Sequence, residues 1–244
     1  MIRKKVVLHA HSTWSYDGKW TLEKIARTFG ALGVDAVMMT EHDTGFEPER
    51  FSEYRAACAA ASTRRCTLIP GIEYSSPDND IHLLTWGLSD FLAEHRPVSE
   101  TLAAVRKAGG VCVFAHPVRR EAWKKFEPEW TNSLAAIELW NRKSDGIAPG
   151  PEALELLRRT GLPAVVGPDF HKLRHFWPLT NQVAILPGTD LESGLVDALA
   201  KGQMRPQAFG RPLVDEAGKV RTGFHPTLEK GRRALRDLVR GSSK

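Results

Sequence analysis

The sequence predicts an α/β fold built from about seven consecutive β/α units. Short apolar segments of strand length alternate with amphipathic segments of helical length along most of the chain. The length of 244 residues suits one domain, and a barrel of this size can be a single domain. Polar side chains repeatedly follow the apolar segments, as expected where the carboxyl ends of parallel strands meet.

The first predicted strand, Val6 to His11, ends in two histidines one residue apart, His9 and His11. Residues i and i+2 of a strand point the same way, so both imidazoles should face one side. Asp17 follows in a turn rich in Ser, Tyr and Gly, and imidazole with carboxylate is a ligand set for Zn, Mn or Fe. Taken alone, two partly buried histidines that satisfy hydrogen bonds explain the pair equally well.

The next element, Leu22 to Leu32, has apolar residues at helical spacing, with Thr21 as a predicted N-cap and Gly33 as a stop. The further predicted helices are 48–62, 98–108, 151–160 and 190–199, and the further strands are 34–40, 66–69, 81–87, 111–115, 135–141, 163–167 and 182–186. A change in composition after residue 206 separates a predicted barrel domain, 1–210, from a basic C-terminal extension, 211–244, with a helix from Thr227 to Arg240.

Residues able to bind metal lie at the ends of successive predicted strands. They are His9, His11, Glu41, His42, Glu73, His116, Asp169 and His171, with Glu138 and Asn141 in similar positions. His82 opens its strand, so it reaches the same face only if that strand runs antiparallel or follows a hairpin from Glu73. Scattered core histidines have no reason to choose one end of the strands, so a metal centre is expected there. His95, His175 and His225 follow no strand and are expected to be ordinary surface or loop histidines.

The net charge of +5 is concentrated at the C-terminus. Residues 201–244 hold eleven Lys and Arg against four Asp and Glu, which leaves 23 basic and 25 acidic residues in the first 200. Such a tail can contact nucleic acid, with a solvated surface as the alternative. Three cysteines without a CxxC pair, and no secretory signal, predict a cytoplasmic protein with reduced thiols. No apolar run is long enough to cross a membrane, so no membrane partner is expected.

Six short motifs occur in the order seen in the PHP family, named after polymerase and histidinol phosphatase, and the sequence resembles that family from residue 6 to about residue 210. The motifs are His9-Ala10-His11-Ser12 with Asp17-Gly18, Thr40-Glu41-His42, Gly71-Ile72-Glu73, His82-Leu83-Leu84, Ala115-His116-Pro117 and Gly167-Pro168-Asp169-Phe170-His171. Any one of them alone is a weak signal, whereas the ordered set is specific.

The resemblance implies a distorted (β/α)7 TIM-like barrel that holds up to three divalent metals, whether Mn, Zn, Fe or Mg. By position, the first metal takes His9, His11, Glu73 and Asp169, the second takes Glu73, His82 and His116, and the third takes Asp17, His42 and His171. Glu73 then bridges two metals. The carboxylate of Asp17 should point at His42 and His171.

Two positions depart from the pattern of the family. The second motif usually reads Thr-Asp-His, and the extra methylene of Glu41 can shift a hydrogen bond behind the metal ligands. Pro168 stands where serine is common, and proline removes a backbone N–H. Neither change removes an implied metal ligand.

The function that the resemblance implies is that of a metal-dependent phosphoesterase, a hydrolase in which a hydroxide held between metals attacks phosphorus. The expected substrate is a small phosphorylated metabolite or a nucleotide. Glu73 is the expected central catalytic carboxylate, and the basic residues that can bind the phosphate are Arg119 and Lys143, with Arg120, Arg142 and Lys172 as rivals.

Three alternatives stay open at this stage. A 5′–3′ exonuclease or oligonucleotide phosphodiesterase is favoured by the basic tail and by the short distance from Glu73 to His116, which leaves no room for a large cap domain. An amidohydrolase-like enzyme shares the His-x-His pattern, but that group commonly adds a carboxylated lysine at a strand end, and the sequence predicts no lysine at the end of a mid-chain strand. A non-catalytic metal-binding module is disfavoured by the intact ligand set. The chain has no Gly-x-Ser-x-Gly serine nucleophile motif and no Gly-rich phosphate loop.

Overall fold

The structure is a computed structural model, and it describes residues 1–216, 219–221, 231, 232 and 234. The predicted helix from Thr227 to Arg240 lies outside the described residues except for Gly231, Arg232 and Ala234, and His225 lies outside them as well. No helix in the described part of the chain is both long and apolar enough to cross a membrane.

The described residues form twelve strands and six α-helices. The strands are β1 Ile2–Ala10, β2 Ala36–Met39, β3 Glu41–His42, β4 Thr67–Ile69, β5 Gly71–Ser75, β6 His82–Trp86, β7 Val111–Phe114, β8 Ala136–Asn141, β9 Ala164–Gly167, β10 Leu179–Ile185, β11 Arg205–Ala208 and β12 Arg211–Pro212. The helices are α1 Leu22–Ala31, α2 Phe51–Ala61, α3 Val98–Lys107, α4 Arg142–Asp145, α5 Pro151–Thr160 and α6 Leu191–Ala200.

The strands form two six-stranded sheets, in the orders β12-β11-β10-β1-β2-β4 and β3-β5-β6-β7-β8-β9. Five of the ten neighbouring strand pairs in the described residues are parallel, as the alternation of strands and helices predicts, and the other five are antiparallel. Strand β6 is antiparallel to β5 and to β7, and β10 is antiparallel to β1. The prediction of an α/β fold is confirmed, and β6 takes the antiparallel direction on which the placement of His82 depended.

The predicted closed barrel is not present as one continuous ladder in the described residues. The sheets meet where β2 runs into β3 through Thr40 and where β4 runs into β5 through Pro70. On the other side, a parallel bridge joins Ala10 to Phe170, beyond β9. The predicted strands 34–40 and 66–69 end at these junctions, and the residues that follow form the separate strands β3 and β5 of the second sheet.

Apolar packing explains the local structure. The side chain of Thr21 caps α1 by accepting a hydrogen bond from the Lys24 N–H at 3.3 Å, which confirms the predicted N-cap. Helix α1 buries Leu22, Ile25 and Phe29 against the sheet. An inter-sheet core, defined here by Leu8, Met38, Leu84, Trp86, Val113 and Leu195, joins both sheets to α6. The three cysteines are buried and form no disulfide.

Candidate metal centre

The structure brings all nine predicted metal ligands together at one end of the sheets, where the parallel strands have their carboxyl ends and the antiparallel β6 begins with His82. They come from the end of β1 and its loop, from β3, β5 and β6, and from the segments after β7 and β9. All are buried except Asp17, whose side chain is 33% exposed. His82 reaches the cluster because the β5–β6 hairpin sets its residue opposite Ser75.

Three of these residues have left-handed backbone conformations, at φ values of 66° for His9, 25° for His116 and 50° for Asp169. The β1 register shifts between Leu8 and Ala10, so His9 lies at a bulge rather than in a regular strand. His9 and His11 do face the same cavity, but the bulge directs them there instead of simple strand alternation. Such backbone strain is concentrated at functional sites.

Glu73 lies at the centre of the cluster. Its Oε2 is 3.4 Å from His9 Nε2, 3.2 Å from His11 Nε2 and 3.3 Å from His42 Nδ1. Its Oε1 is 2.8 Å from His116 Nε2 and 2.5 Å from His82 Nδ1. The two carboxylate oxygens therefore face different histidines.

Asp17 contacts the two histidines predicted for it. One oxygen is 2.9 Å from His171 Nε2 and the other is 3.4 Å from His42 Nε2. Asp169 Oδ1 is 3.6 Å from Nε2 of both His9 and His11. The first loop thus contributes to two neighbouring groups: Asp17 faces His42 and His171, His9 and His11 are turned toward Glu73 and Asp169, and His11 lies close enough to belong to both groups.

The electrostatics favour ionised carboxylates among a mixed set of imidazoles. Burial raises the pKa of Glu73, but the surrounding histidines, His82 and His9 first, lower it well below its ordinary value. Burial and the neighbouring His171 and His42 hold the pKa of His11 well below its ordinary value. Burial lowers the pKa of His171, but hydrogen bonds with Asp169 and Asp17 raise it to about 9.

The cluster fits divalent metal ions. Three overlapping groups have one donor atom per residue within 4.8 Å of the others: His11, Asp17, His42 and His171; His9, Glu73 and His116; and His9, His11 and Asp169. Within the described residues, six donor atoms of the cluster are buried without a hydrogen-bond partner: His9 Nε2, His11 Nε2, Asp17 Oδ1, His42 Nε2, His116 Nδ1 and Asp169 Oδ1. Buried polar atoms nearly always have partners, so this concentration indicates a site built for ions.

His82 differs from the other predicted ligands because it is absent from these three groups in the described part of the chain. Its Nδ1 faces Glu73, and its Nε2 is 2.6 Å from Asn79 Oδ1. Sequence reasoning missed Asn79, which lies in a hairpin loop with φ 57° and offers no pattern. Asn79 sets the orientation of the His82 ring.

Glu138 and Asn141 lie directly behind the cluster. Glu138 Oε1 is 3.0 Å from His9 Nδ1, and Glu138 Oε2 accepts a hydrogen bond from the backbone N–H of His116 at 2.8 Å. The Asn141 amide donates to Glu138 at 3.0 Å and to Asp169 at 3.3 Å. A carboxylate behind a histidine fixes its tautomer and raises its basicity toward a metal.

Glu41, the first departure from the family pattern, supports the loop that carries Asp17. Its buried carboxylate accepts hydrogen bonds from the Ser12 N–H at 3.0 Å and from the Ser12 and Ser15 hydroxyls at 2.7 and 2.5 Å. Ser15 Oγ in turn accepts the His42 N–H at 2.9 Å. The longer side chain therefore spans from β3 to the first loop without contributing a donor atom to the three groups.

The second departure, Pro168, leaves the local ladder intact. The backbone of Phe170 accepts from the His11 N–H at 2.8 Å and donates to the His9 carbonyl at 3.1 Å, so residue 168 takes no part in the pairing. Gly167 is required, because a Cβ there would lie 2.5 Å from Glu138 Oε1 and 2.7 Å from the His9 Cβ.

Arg119 and Lys143 both line a cavity of about 260 Å³ that opens onto the cluster. Arg119 donates to the Asn79 carbonyl at 2.9 Å, and Lys143 Nζ lies 3.1 Å from His171 Nε2 and 3.5 Å from Asp169. Arg120 is instead held on the surface by Asn79 and Asp80.

Lys143 is a lysine near a strand end, contrary to the expectation that disfavours an amidohydrolase-like enzyme. It follows β8 by two residues and reaches the cluster, with Nζ 3.5 Å from Asp169.

His95 and His175 lie outside the strands, as expected, but both adjoin the cluster. His95 lines the cavity over the cluster, and the His175 ring lies 5.5 Å from that of His171. Tyr16 stacks on His42 at 5.0 Å, and its side chain is exposed. These residues reach the site through loop packing rather than from strand ends, so no sequence spacing indicates them.

The fold and the cluster together define an α/β protein able to hold divalent metals at the carboxyl ends of its strands. Solved structures with this fold include a two-domain protein from Bacteroides vulgatus ATCC 8482 that contains a predicted PHP-like metal-dependent phosphoesterase (TM-score 0.62, 20% identity, 85% of this chain and 65% of that one). PsfC from Pseudomonas syringae PB-5123 is similar over 98% of this chain and 100% of its own, with TM-score 0.63 and 14% identity.

The lesion-specific endonuclease PfuEndoQ from Pyrococcus furiosus is also similar, with TM-score 0.60 and 13% identity over 87% of this chain and 58% of that one. The chain thus spans less than two thirds of the length of the Bacteroides and Pyrococcus proteins. No family model and no curated protein matches the chain. The predicted resemblance is confirmed at the level of the fold, which this chain shares with the PHP-like protein from Bacteroides.

Proposed function

We propose that the protein is a metal-dependent phosphoesterase, with a small phosphorylated metabolite or a nucleotide as its substrate. The observation that carries this proposal is the set of six buried, unpartnered donor atoms around Glu73, within the described residues. His9, His11, Glu73 and Asp169 would hold one ion, Glu73 and His116 with His82 a second, and Asp17, His42 and His171 a third. Divalent ions at these positions would neutralise phosphate oxygens and make water acidic enough to react near neutral pH.

The residues of the chain itself supply positioning and charge. Glu73 and Asp169 are ionised and face histidines on several sides. Glu138 orients His9 and fixes the backbone at His116. Arg119 and Lys143 reach the cavity from outside the ligand groups, where a guanidinium and an ammonium can bind phosphate oxygens. The cavity of about 260 Å³ admits a phosphate group with part of a small substrate.

Metal analysis followed by turnover assays tests the proposal. Protein freed of metal by chelation and then loaded with Mn should hydrolyse at least one member of a panel of nucleotides, sugar phosphates, histidinol phosphate and short single-stranded DNA. Equal turnover by the metal-free and the loaded protein would show that the proposed mechanism is wrong.

Cleavage of the DNA and of no other substrate would favour the exonuclease alternative. DNA belongs in the panel because one structure of similar fold is an endonuclease Q complex with a 27-mer duplex. Removal of residues 211–244 then tests whether the basic extension contributes to nucleic-acid affinity.

An amidohydrolase-like enzyme is a second candidate, because Lys143 lies within 3.5 Å of Asp169 in the cluster. Assays of loaded protein on N-acyl amino acids separate the two reactions. Hydrolysis of an amide without hydrolysis of any phosphate ester would favour this second candidate over the phosphoesterase.

A further inference from the structure

A second, larger cavity of about 600 Å³ adjoins the metal cluster. Asp17 and Lys143 line both this cavity and the smaller one over the cluster, so the two spaces share a wall. The lining comes from the loop after β1, from α4 and from the segment after β9, which are the segments that carry or adjoin several predicted metal ligands.

The second cavity is strongly cationic, and we call it the basic pocket. It is lined by Lys19, Arg142, Lys143, Lys172 and Arg174. The one carboxylate in its lining is Asp17, which already contacts His171 and His42. Like charges gathered in a concave site raise the local concentration of anions.

Three of the five cations that line the basic pocket form no ion pair with a carboxylate in the described residues. They differ in this from exposed Arg50, Lys125, Arg158 and Lys201, which pair with carboxylates at 2.5–2.9 Å. Within the described part of the chain, Lys19, Lys172 and Arg174 have no carboxylate within 4.0 Å, which is the distance limit for an ion pair. Arg142 stacks over Trp177 with its guanidinium carbon 4.5 Å from the ring centroid.

We propose that the basic pocket binds a second phosphate group of the substrate while the first phosphate lies at the metal cluster. This inference rests on the proposed phosphoesterase function and narrows its substrate class to molecules with two phosphate groups. A bisphosphorylated metabolite has that chemistry, and so does an oligonucleotide end, where the next phosphodiester supplies the second charge. Arg142 and Lys172 then act on the second phosphate rather than as rivals of Arg119 for the first.

Two matched substrate pairs test the inference with Mn-loaded protein. The sugar pair is fructose 1,6-bisphosphate against fructose 6-phosphate, and the nucleotide pair is 5′-phosphorylated dithymidylate against thymidine 5′-monophosphate. A charge-assisted hydrogen bond contributes enough free energy for a preference of about 10-fold or more in kcat/KM for the substrate with two phosphates. A preference in the sugar pair indicates a metabolite, and one in the nucleotide pair indicates an oligonucleotide end.

The double variant Lys172→Met with Arg174→Met should lower this preference by about 10-fold, chiefly through KM, because it removes two charges from the pocket. Lys201→Met is the matched control, since Lys201 lies on α6 and pairs with Asp197. Calorimetry of fructose 1,6-bisphosphate and of the dinucleotide with metal-free protein measures binding without turnover. Both ligands should bind more weakly to the double variant than to the wild type, whereas Lys201→Met should bind them as the wild type does.

The outcomes separate the inference from the proposed function. Hydrolysis of monophosphates with no preference in either pair overturns the second-phosphate inference and leaves the phosphoesterase proposal standing. A preference that survives in the double variant also overturns it. Failure to hydrolyse any phosphate ester counts against the proposed function itself, and the calorimetric comparison of the wild type with the double variant then decides the inference alone.

Discussion

The two ends of the same strands have opposite chemistry. In the inter-sheet core, Leu8, Met38, Leu84, Trp86 and Val113 are fully buried. The only polar atom among these side chains, Trp86 Nε1, donates to the Met39 carbonyl at 2.8 Å. At the other end of these strands, within about four residues, the side chains become imidazoles and carboxylates with unpartnered buried atoms in the described residues.

This difference shows how the chain divides stability from function. Burial of apolar side chains stabilises the fold, whereas an unsatisfied buried polar group costs about 1–3 kcal/mol. The metal cluster also holds the strained backbone at His9, His116 and Asp169. The free energy gained by burying apolar side chains at one end must therefore offset the cost of the unpartnered polar atoms at the other end until ions bind. Substitutions at the apolar end should change stability, and substitutions at the polar end should change metal binding and turnover.

The largest expected effect comes from Glu73→Gln, because Glu73 contacts five histidines and both of its oxygens are engaged. Loss of its charge should reduce bound metal and lower kcat by about 1,000-fold, since metal ions contribute several kcal/mol to stabilisation of the transition state. Bound metal is measured by elemental analysis and kcat with the best phosphate ester. Glu192→Gln, which removes a carboxylate that pairs with Arg55 far from the cluster, is the control. Full metal and full turnover in Glu73→Gln would contradict the central role of this carboxylate.

Glu138→Gln should have the next largest effect. Glu138 contacts His9 and the backbone of His116 without belonging to a donor group, and loss of such support lowers metal affinity by about 10- to 100-fold. Titration with Mn measures the affinity, and excess Mn should restore most of the turnover. Recovery at high Mn separates Glu138 from Glu73, whose substitution excess metal should not rescue.

Changes of pH should alter metal affinity less than the two substitutions do, and the change should be specific to one group of ligands. Since the pKa of His171 is raised to about 9, this histidine is protonated at neutral pH in the metal-free protein and must lose a proton to bind metal. Metal affinity at the Asp17, His42 and His171 group should therefore rise about 10-fold per pH unit for one released proton and level off near pH 9.

The sign is opposite for the stability of the metal-free protein. A raised pKa in the folded state stabilises the protonated form, so this contribution is complete below the ordinary histidine pKa and is lost as pH rises through about 9. Thermal melts should show Tm falling between pH 7 and pH 9 without metal but not with it. His171→Gln should flatten both trends, and a metal affinity that does not change over this range would contradict the assignment.

Much of the site could be predicted because strand ends carry a local signal. Glu73, His116 and Asp169 each follow an apolar run, and parallel strands bring such residues together whatever the loops do. The direction of β6 could not be predicted from the sequence, since the residues around His82 suit a hairpin connection and a crossover connection equally well. Loop packing brings His95, His175 and Asn79 to the site, and no spacing of residues in the sequence predicts this. The division into two sheets depends on breaks at Thr40 and Pro70, and the strands beyond them, β3 and β5, are not among those that the sequence predicts.

The smallest effect on metal content and turnover should come from a substitution in the inter-sheet core, even though it lowers stability strongly. Leu195 on α6 is fully buried in the inter-sheet core. Leu195→Ala should lower the free energy of unfolding by about 2–5 kcal/mol, because it removes apolar contact and leaves a cavity. Denaturant unfolding measures that loss, while metal content and kcat at 25 °C should stay within about twofold of the wild type, since distant sites act independently. Val196→Ala, a partly buried neighbour on the same helix, is the matched control for stability. If Leu195→Ala also released metal, the two ends would be coupled through the strands, and the separation of stability from function along each strand would be wrong.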